Sequence, residues 1–186
     1  MKQTELSEHN HSDDSGLKDK LLELSFYTAC AGTISIAEFL IPKPFPFLRI
    51  GLANIVIILL LMQRKEMSAI IVLVGKVLLS GLFVGTLLMP TTLIALGSGL
   101  TSLSIMAIIT RFRLGLSWVG ISILGAVAHN VMQLIIVRSI LIYSNSIFEL
   151  LPILLLLGIG TGTATGIIAV VLNQRLPWSF NEKKTY

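Results

Sequence analysis

Apolar residues fill this chain in long unbroken runs instead of alternating with polar ones. The runs fall at about 22–41, 50–63, 67–89, 93–110, 115–137 and 152–172, most of them near the ~20 residues with which an α-helix crosses the hydrocarbon core of a bilayer. The pattern predicts six membrane spans, the second one short. A closed β-barrel would need ~10-residue alternating segments, and IVIILLLM or LPILLLLG do not alternate. The expected fold is therefore an all-α, six-helix membrane bundle.

Composition strengthens that reading: 54% of the 186 residues are hydrophobic and 13% charged, with a mean hydropathy of +0.86, far from a soluble globular mixture. The first run follows a polar head of about twenty residues and lacks a small-residue cleavage site, so it is expected to stay as helix one. With alternating loops, Lys2, Lys18, Lys20, Arg64, Lys65, Arg111, Arg113, Arg175, Lys183 and Lys184 fall on one side of the membrane. Lys43, Arg49 and Arg138 fall on the other, and Lys76 lies within a span. Cytoplasmic loops collect basic residues, so both termini are expected in the cytoplasm of a multi-pass protein of the inner or plasma membrane. The same bias accounts for a pI near 9.4 without nucleic acid.

The chain divides into a flexible cytoplasmic tail (1–20), a transmembrane domain (21–173) and a C-terminal cytoplasmic tail (174–186). His9 and His11 lie in the first tail without further ligands nearby, so no metal site is expected. Cys30 is the only cysteine, which excludes an intramolecular disulfide.

Polar residues inside the spans carry the candidate chemistry. In the deduced orientation Glu38 lies near the outer end of helix one, Asn54 near the outer start of helix two and Lys76 near the middle of helix three. His129, Asn130 and Gln133 lie just beyond the midpoint of helix five. Intramembrane ionisable groups are costly and face the bundle interior or a water-filled cavity. The three residues of helix five, spaced three and four apart, share one face. Together they predict a pocket open to the outer side, with Arg138 at its boundary. The competing explanation is that they join helices by hydrogen bonds, with Glu38 and Lys76 a buried pair. The link IPKPFPFLR at 41–49 has three prolines spaced two apart and is either a lid over that pocket or a stiff connector with interfacial aromatics. Gly51 allows a tight turn into helix two.

Small residues form a second pattern. Ser25, Ala29, Thr33 and Ala37 recur at every fourth position of helix one, as do Gly158, Gly162 and Gly166 in helix six, with Gly81 and Gly85 in helix three. Such ridges let backbones approach closely. Internal packing is the expected role in helices three and six; on helix one the ridge is also a candidate docking groove for another membrane subunit.

Catalytic readings fail. GIGTGTATG at 158–166 superficially matches a phosphate-binding loop, but no strand precedes it and no GK[ST] follows. His129 has no cysteine nucleophile nearby, and no aspartate follows Asp19, so neither a triad nor carboxylates for Mg²⁺–diphosphate assemble. No catalytic residue, metal or cofactor is expected.

IGLANIVIILLL at 50–61, GKVLLSGLFVGT at 75–86, SGLTSLSIMAII at 98–109 and GAVAHNVMQ at 125–133 resemble the family labelled heptaprenyl diphosphate synthase component I, also called the Gx transporter family. The resemblance spans about 22–173. One label implies an accessory membrane subunit of a polyprenyl diphosphate synthase in quinone biosynthesis, working with a soluble prenyltransferase. The other reflects similarity to the substrate-binding S components of energy-coupling factor (ECF) transporters, which have six helices, cytoplasmic termini and an outward pocket. It implies a coupling subunit and ATPases as partners, docked on a helix-one pattern AxxxA that here reads Ala29-xxx-Thr33-xxx-Ala37. The residues fit the S-component description better, with Glu38, Arg49, Asn54, Lys76, His129, Asn130 and Gln133 around a small anionic, vitamin-like or flavin-like molecule. The synthase subunit is the alternative. A stand-alone carrier would favour an inverted repeat, and 22–89 shows no correspondence with 93–172.

Overall fold

The computed structural model describes residues 2–40, 51–141 and 145–175. Among these it is all helical: α1 Lys2–Leu40, α2 Asn54–Met62, α3 Glu66–Val84, α4 Pro90–Arg111, α5 Trp118–Ile140 and α6 Leu151–Arg175, with a 3₁₀ turn at Asn145–Leu150. Six helices appear where six apolar runs are found. Four stretches are long and apolar enough to cross a membrane: α3, α4, α5 and Ser146–Arg175. The chain is thus a multi-pass membrane protein; α1 and α2 are not among these four stretches.

Helix α2 has only nine residues, about 13 Å at 1.5 Å per residue, less than half the ~30 Å hydrocarbon core. It lies inside the bundle. Val56, Ile57, Ile58, Leu59, Leu60 and Leu61 are all buried, which is why the run has no polar face: a helix surrounded by others needs none. Around it the apolar core draws Tyr27 and Ala31 from α1, Val72 and Leu73 from α3, Leu103 and Met106 from α4, and Ala169 from α6.

In α1, Glu23, Thr28, Ser35 and Glu38 dilute the apolar half. At the other end α1 starts at Lys2, so helical backbone continues through the segment expected as a flexible tail. Once the apolar half is helical, each added residue needs propagation only, without a new nucleus.

Short connections define the ends. Ser117 caps α5 by accepting the Gly120 N–H at 3.2 Å, and Pro90 opens α4 at its first position, where a missing N–H costs nothing. After α3 the chain reverses through Gly85 at φ 74°, with Thr86 N–H donating to Gly81 O at 2.8 Å. The end of α2 repeats this geometry with Lys65 N–H on Leu60 O at 2.9 Å, but the left-handed residue is Arg64, at φ 60°. Arg113, after α4, is left-handed as well, at φ 49°. For residues with a Cβ this conformation costs roughly 1–2 kcal/mol. Alternating helix directions gather Arg64, Lys65, Arg111, Arg113 and Arg175 at one end of the bundle, hereafter the basic end.

Of the small-residue ridges, that of α6 packs internally as expected. A Cβ at Gly158, Gly162 or Gly166 would approach the Cα of Val127, Ile123 or Val119 on α5 to 3.2, 2.6 or 2.9 Å. Gly81 faces Leu87 and Thr92, but Gly85 has open space around it and serves only the turn. On α1 the contact with α3 runs through Gly32 against Leu79, and Thr28 against Gly75. Ser25, Ala29, Thr33 and Ala37 lie off that seam, all four exposed.

Candidate functional site

The polar residues of α1, α2, α3 and α5 converge away from the basic end, though not as a single cluster. A cavity of about 20 Å³ is lined by Ser35 and Glu38 of α1, Asn54 of α2, Lys76 of α3 and His129 of α5, with Gly51 beside them. That is room for about one water, against several hundred Å³ for a typical small-molecule pocket.

Glu38 lies near the C-terminus of α1, where the helix dipole disfavours a carboxylate. The compensation comes from the next helix. Gly51 N–H donates to Glu38 Oε1 at 2.9 Å and Leu52 N–H to Oε2 at 3.0 Å, so the side chain binds the amides just ahead of α2. Charge-assisted bonds of this kind are among the stronger ones. Gly51 turns at φ 86°, and a Cβ there would meet Asn54 Nδ2 at 3.2 Å. The turn holds Asn54 at the head of α2, where its Oδ1 accepts from Lys76 Nζ at 2.9 Å. Glu38 is 4% exposed and Lys76 6%. Opposite charges thus share the wall of one small cavity, with Asn54 bonded to the ammonium.

On α5 the shared face divides between two neighbours. His129 turns to the cavity and to α4, with Nε2 3.4 Å from Ser98 Oγ. Asn130 points to α6 instead: its Nδ2 donates to Leu154 O at 2.8 Å, beside Gly158. Consecutive residues of a helix are ~100° apart, enough to reach different partners. Gln133 is buried one turn further along α5 and does not line the cavity. Asn130 therefore joins helices, and Asn130→Ala is expected to cost about 0.6 kcal/mol in unfolding from detergent, the average for interhelical bonds in membranes.

Arg49 and the 41–49 link lie outside the described residues. Arg138 is exposed, with its guanidinium 5.8 Å from the centre of the Phe148 ring. Sequence reasoning did not single out Ser98, which faces His129. Its signal was the i, i+4 pair Ser98 and Ser102, both buried in apolar α4. At the basic end, a second cleft of about 230 Å³ opens between Arg64 and Arg113. Its signal was an arginine where a helix-ending glycine is usual.

A family model described as heptaprenyl diphosphate synthase component I matches residues 27–172, from Tyr27 in α1 to Leu172 in the last turn of α6. No curated protein and no solved structure matches the chain.

Proposed function

The chain belongs to the heptaprenyl diphosphate synthase component I family, and we propose that it is the membrane component of a polyprenyl diphosphate synthase, receiving the apolar chain while a soluble partner makes the bonds. The family match carries this reading. Division of labour follows from chemistry: a Mg²⁺–diphosphate centre needs clustered carboxylates, and the only aspartates, Asp13, Asp14 and Asp19, precede the bundle. The excess of Lys and Arg at the basic end supports a cytoplasmic side there, and on this reading that end faces the soluble partner.

A second reading is favoured by the exposed stripe Ser25, Ala29, Thr33 and Ala37 together with the polar cavity. Here the chain is the substrate-binding subunit of an ECF-type transporter. A coupling subunit docks on the stripe, and a small anion enters between Lys76, Asn54 and His129 when the cavity opens. Arg49 supplies further charge; Glu38, Asn130 and Gln133 hold the frame around the ligand.

Purification of the full chain from its native membrane separates the two. The synthase reading predicts a soluble, aspartate-rich prenyltransferase in the complex and prenyl-chain elongation by it. Recovery of ATPases with a coupling subunit instead would overturn it. In that case Ala29→Leu with Thr33→Leu should release the coupling subunit while leaving the thermal unfolding of the chain unchanged.

A further inference from the structure

We propose that the cleft at the basic end binds the phosphate or diphosphate head of an amphiphile, whose apolar tail lies along the bundle. Its volume is about 230 Å³, and Arg64, Arg113 and Trp118 line it together with Ile109, Leu116 and Ile121. The composition is split: two exposed arginines stand beside aliphatic and aromatic residues, of which Ile109 and Ile121 are buried. A guanidinium offers a planar fork that matches phosphate oxygens bidentately. The N-terminus of the 23-residue α5 begins at Trp118, within the same lining, and its positive end favours an anion there.

Backbone conformation gives an independent reason. Arg64 and Arg113 both hold left-handed φ values, 60° and 49°. The turn after α3 has the same hydrogen bonds as the turn after α2 and uses Gly85. Glycine suits such a position at no steric cost, so an arginine there runs against the backbone preference, and strain of this kind collects at functional sites. Interfacial anchoring of Arg and Trp would require neither the strained backbone nor a shared cleft. An isoprenoid tail rests on the synthase reading; the phosphate head does not.

The test uses the full chain in phosphatidylcholine nanodiscs, with Trp178→Phe so that Trp118 is the sole tryptophan. Farnesyl diphosphate is expected to change Trp118 emission saturably, whereas farnesol and inorganic diphosphate bind at least about tenfold more weakly, since each lacks one half of the recognition. Arg64→Gly with Arg113→Gly is expected to weaken farnesyl diphosphate binding by about tenfold or more, with Tm unchanged or raised, because glycine relaxes both turns. The corresponding double lysine variant should recover part of the affinity, as charge returns without the fork. Unchanged affinity in the glycine variant, a lysine variant no better than it, or equal binding of farnesol or of inorganic diphosphate would each overturn the site. Dodecyl phosphate separates the sources. Weaker binding than farnesyl diphosphate assigns an isoprenoid diphosphate, equal binding a membrane-lipid phosphate, and either supports the site. Absence of a copurifying prenyltransferase would remove the synthase reading and leave these titrations standing.

Discussion

Lys76→Met is expected to destabilise the bundle by about 3 kcal/mol, and Glu38→Gln in the same chain to restore most of that loss. The hydrogen bond from Lys76 to Asn54 does not account for such an effect, because interhelical bonds in membranes average only ~0.6 kcal/mol. Charge decides it. Lys76 and Glu38 line one cavity of about 20 Å³, and removing the cation takes away a positive charge that shares this cavity with the buried Glu38 carboxylate. Glutamine in place of Glu38 removes the negative charge, keeps the shape and keeps one acceptor for the amides of Gly51 and Leu52. A double-mutant cycle on reversible unfolding in detergent reads the coupling directly. If the two substitutions add independently, the opposite charges are not coupled through the cavity. The cycle also separates frame from ligand contact: loss of anion affinity in the stable double variant would mark Lys76 as a recognition residue, beyond its part in holding α2.

The number and places of the helices were readable because each run of apolar residues is bounded by charge, Pro or Gly. Depth was less so. The run at 50–63 looks the same whether it crosses lipid or sits among other helices, since a helix covered on all sides and one surrounded by lipid are equally apolar. Positions 38, 54, 76 and 129 do line one cavity, but partners were not readable where they are backbone. The amides of Gly51 and Leu52 that bind Glu38, and the Leu154 carbonyl that binds Asn130, have no signature in side-chain chemistry. Spacing put 129, 130 and 133 on one face; it could not tell that the face straddles α4 and α6. Gly81 and Gly85 share the spacing of a packing ridge, yet the second ends the helix. Spacing alone also left open where the ridge of α1 faces, because the α1–α3 seam lies one register away, at Gly32.

Gly162→Leu is expected to separate α5 from α6 and prevent recovery of a folded bundle, the largest effect of any single substitution in the seam. Without a hydrophobic drive between helices in lipid, close backbone approach supplies the contact energy, and Gly162 is where the approach is tightest. A Cβ there would be 2.6 Å from Ile123 Cα and 3.0 Å from Ser122 O. Both are main-chain atoms, so no rotamer change relieves the clash and a helix must move. Gly162→Ala should already cost about 2 kcal/mol, within the range for overpacked cores. The control is Gly160→Ala, two residues away on an exposed face with nothing within 4 Å, where the better helix propensity of alanine adds up to ~1 kcal/mol. Equal stability of the two alanine variants would disprove the seam. Its consequence extends to the site: the Ser122–Thr165 bond at 2.9 Å and the Asn130–Leu154 bond at 2.8 Å cross the same contact. They fix the rotation of α5, and with it the direction in which His129 points. A seam opened by Gly162→Ala should therefore weaken any ligand that depends on His129, while ligands at the basic-end cleft respond chiefly to Arg64 and Arg113.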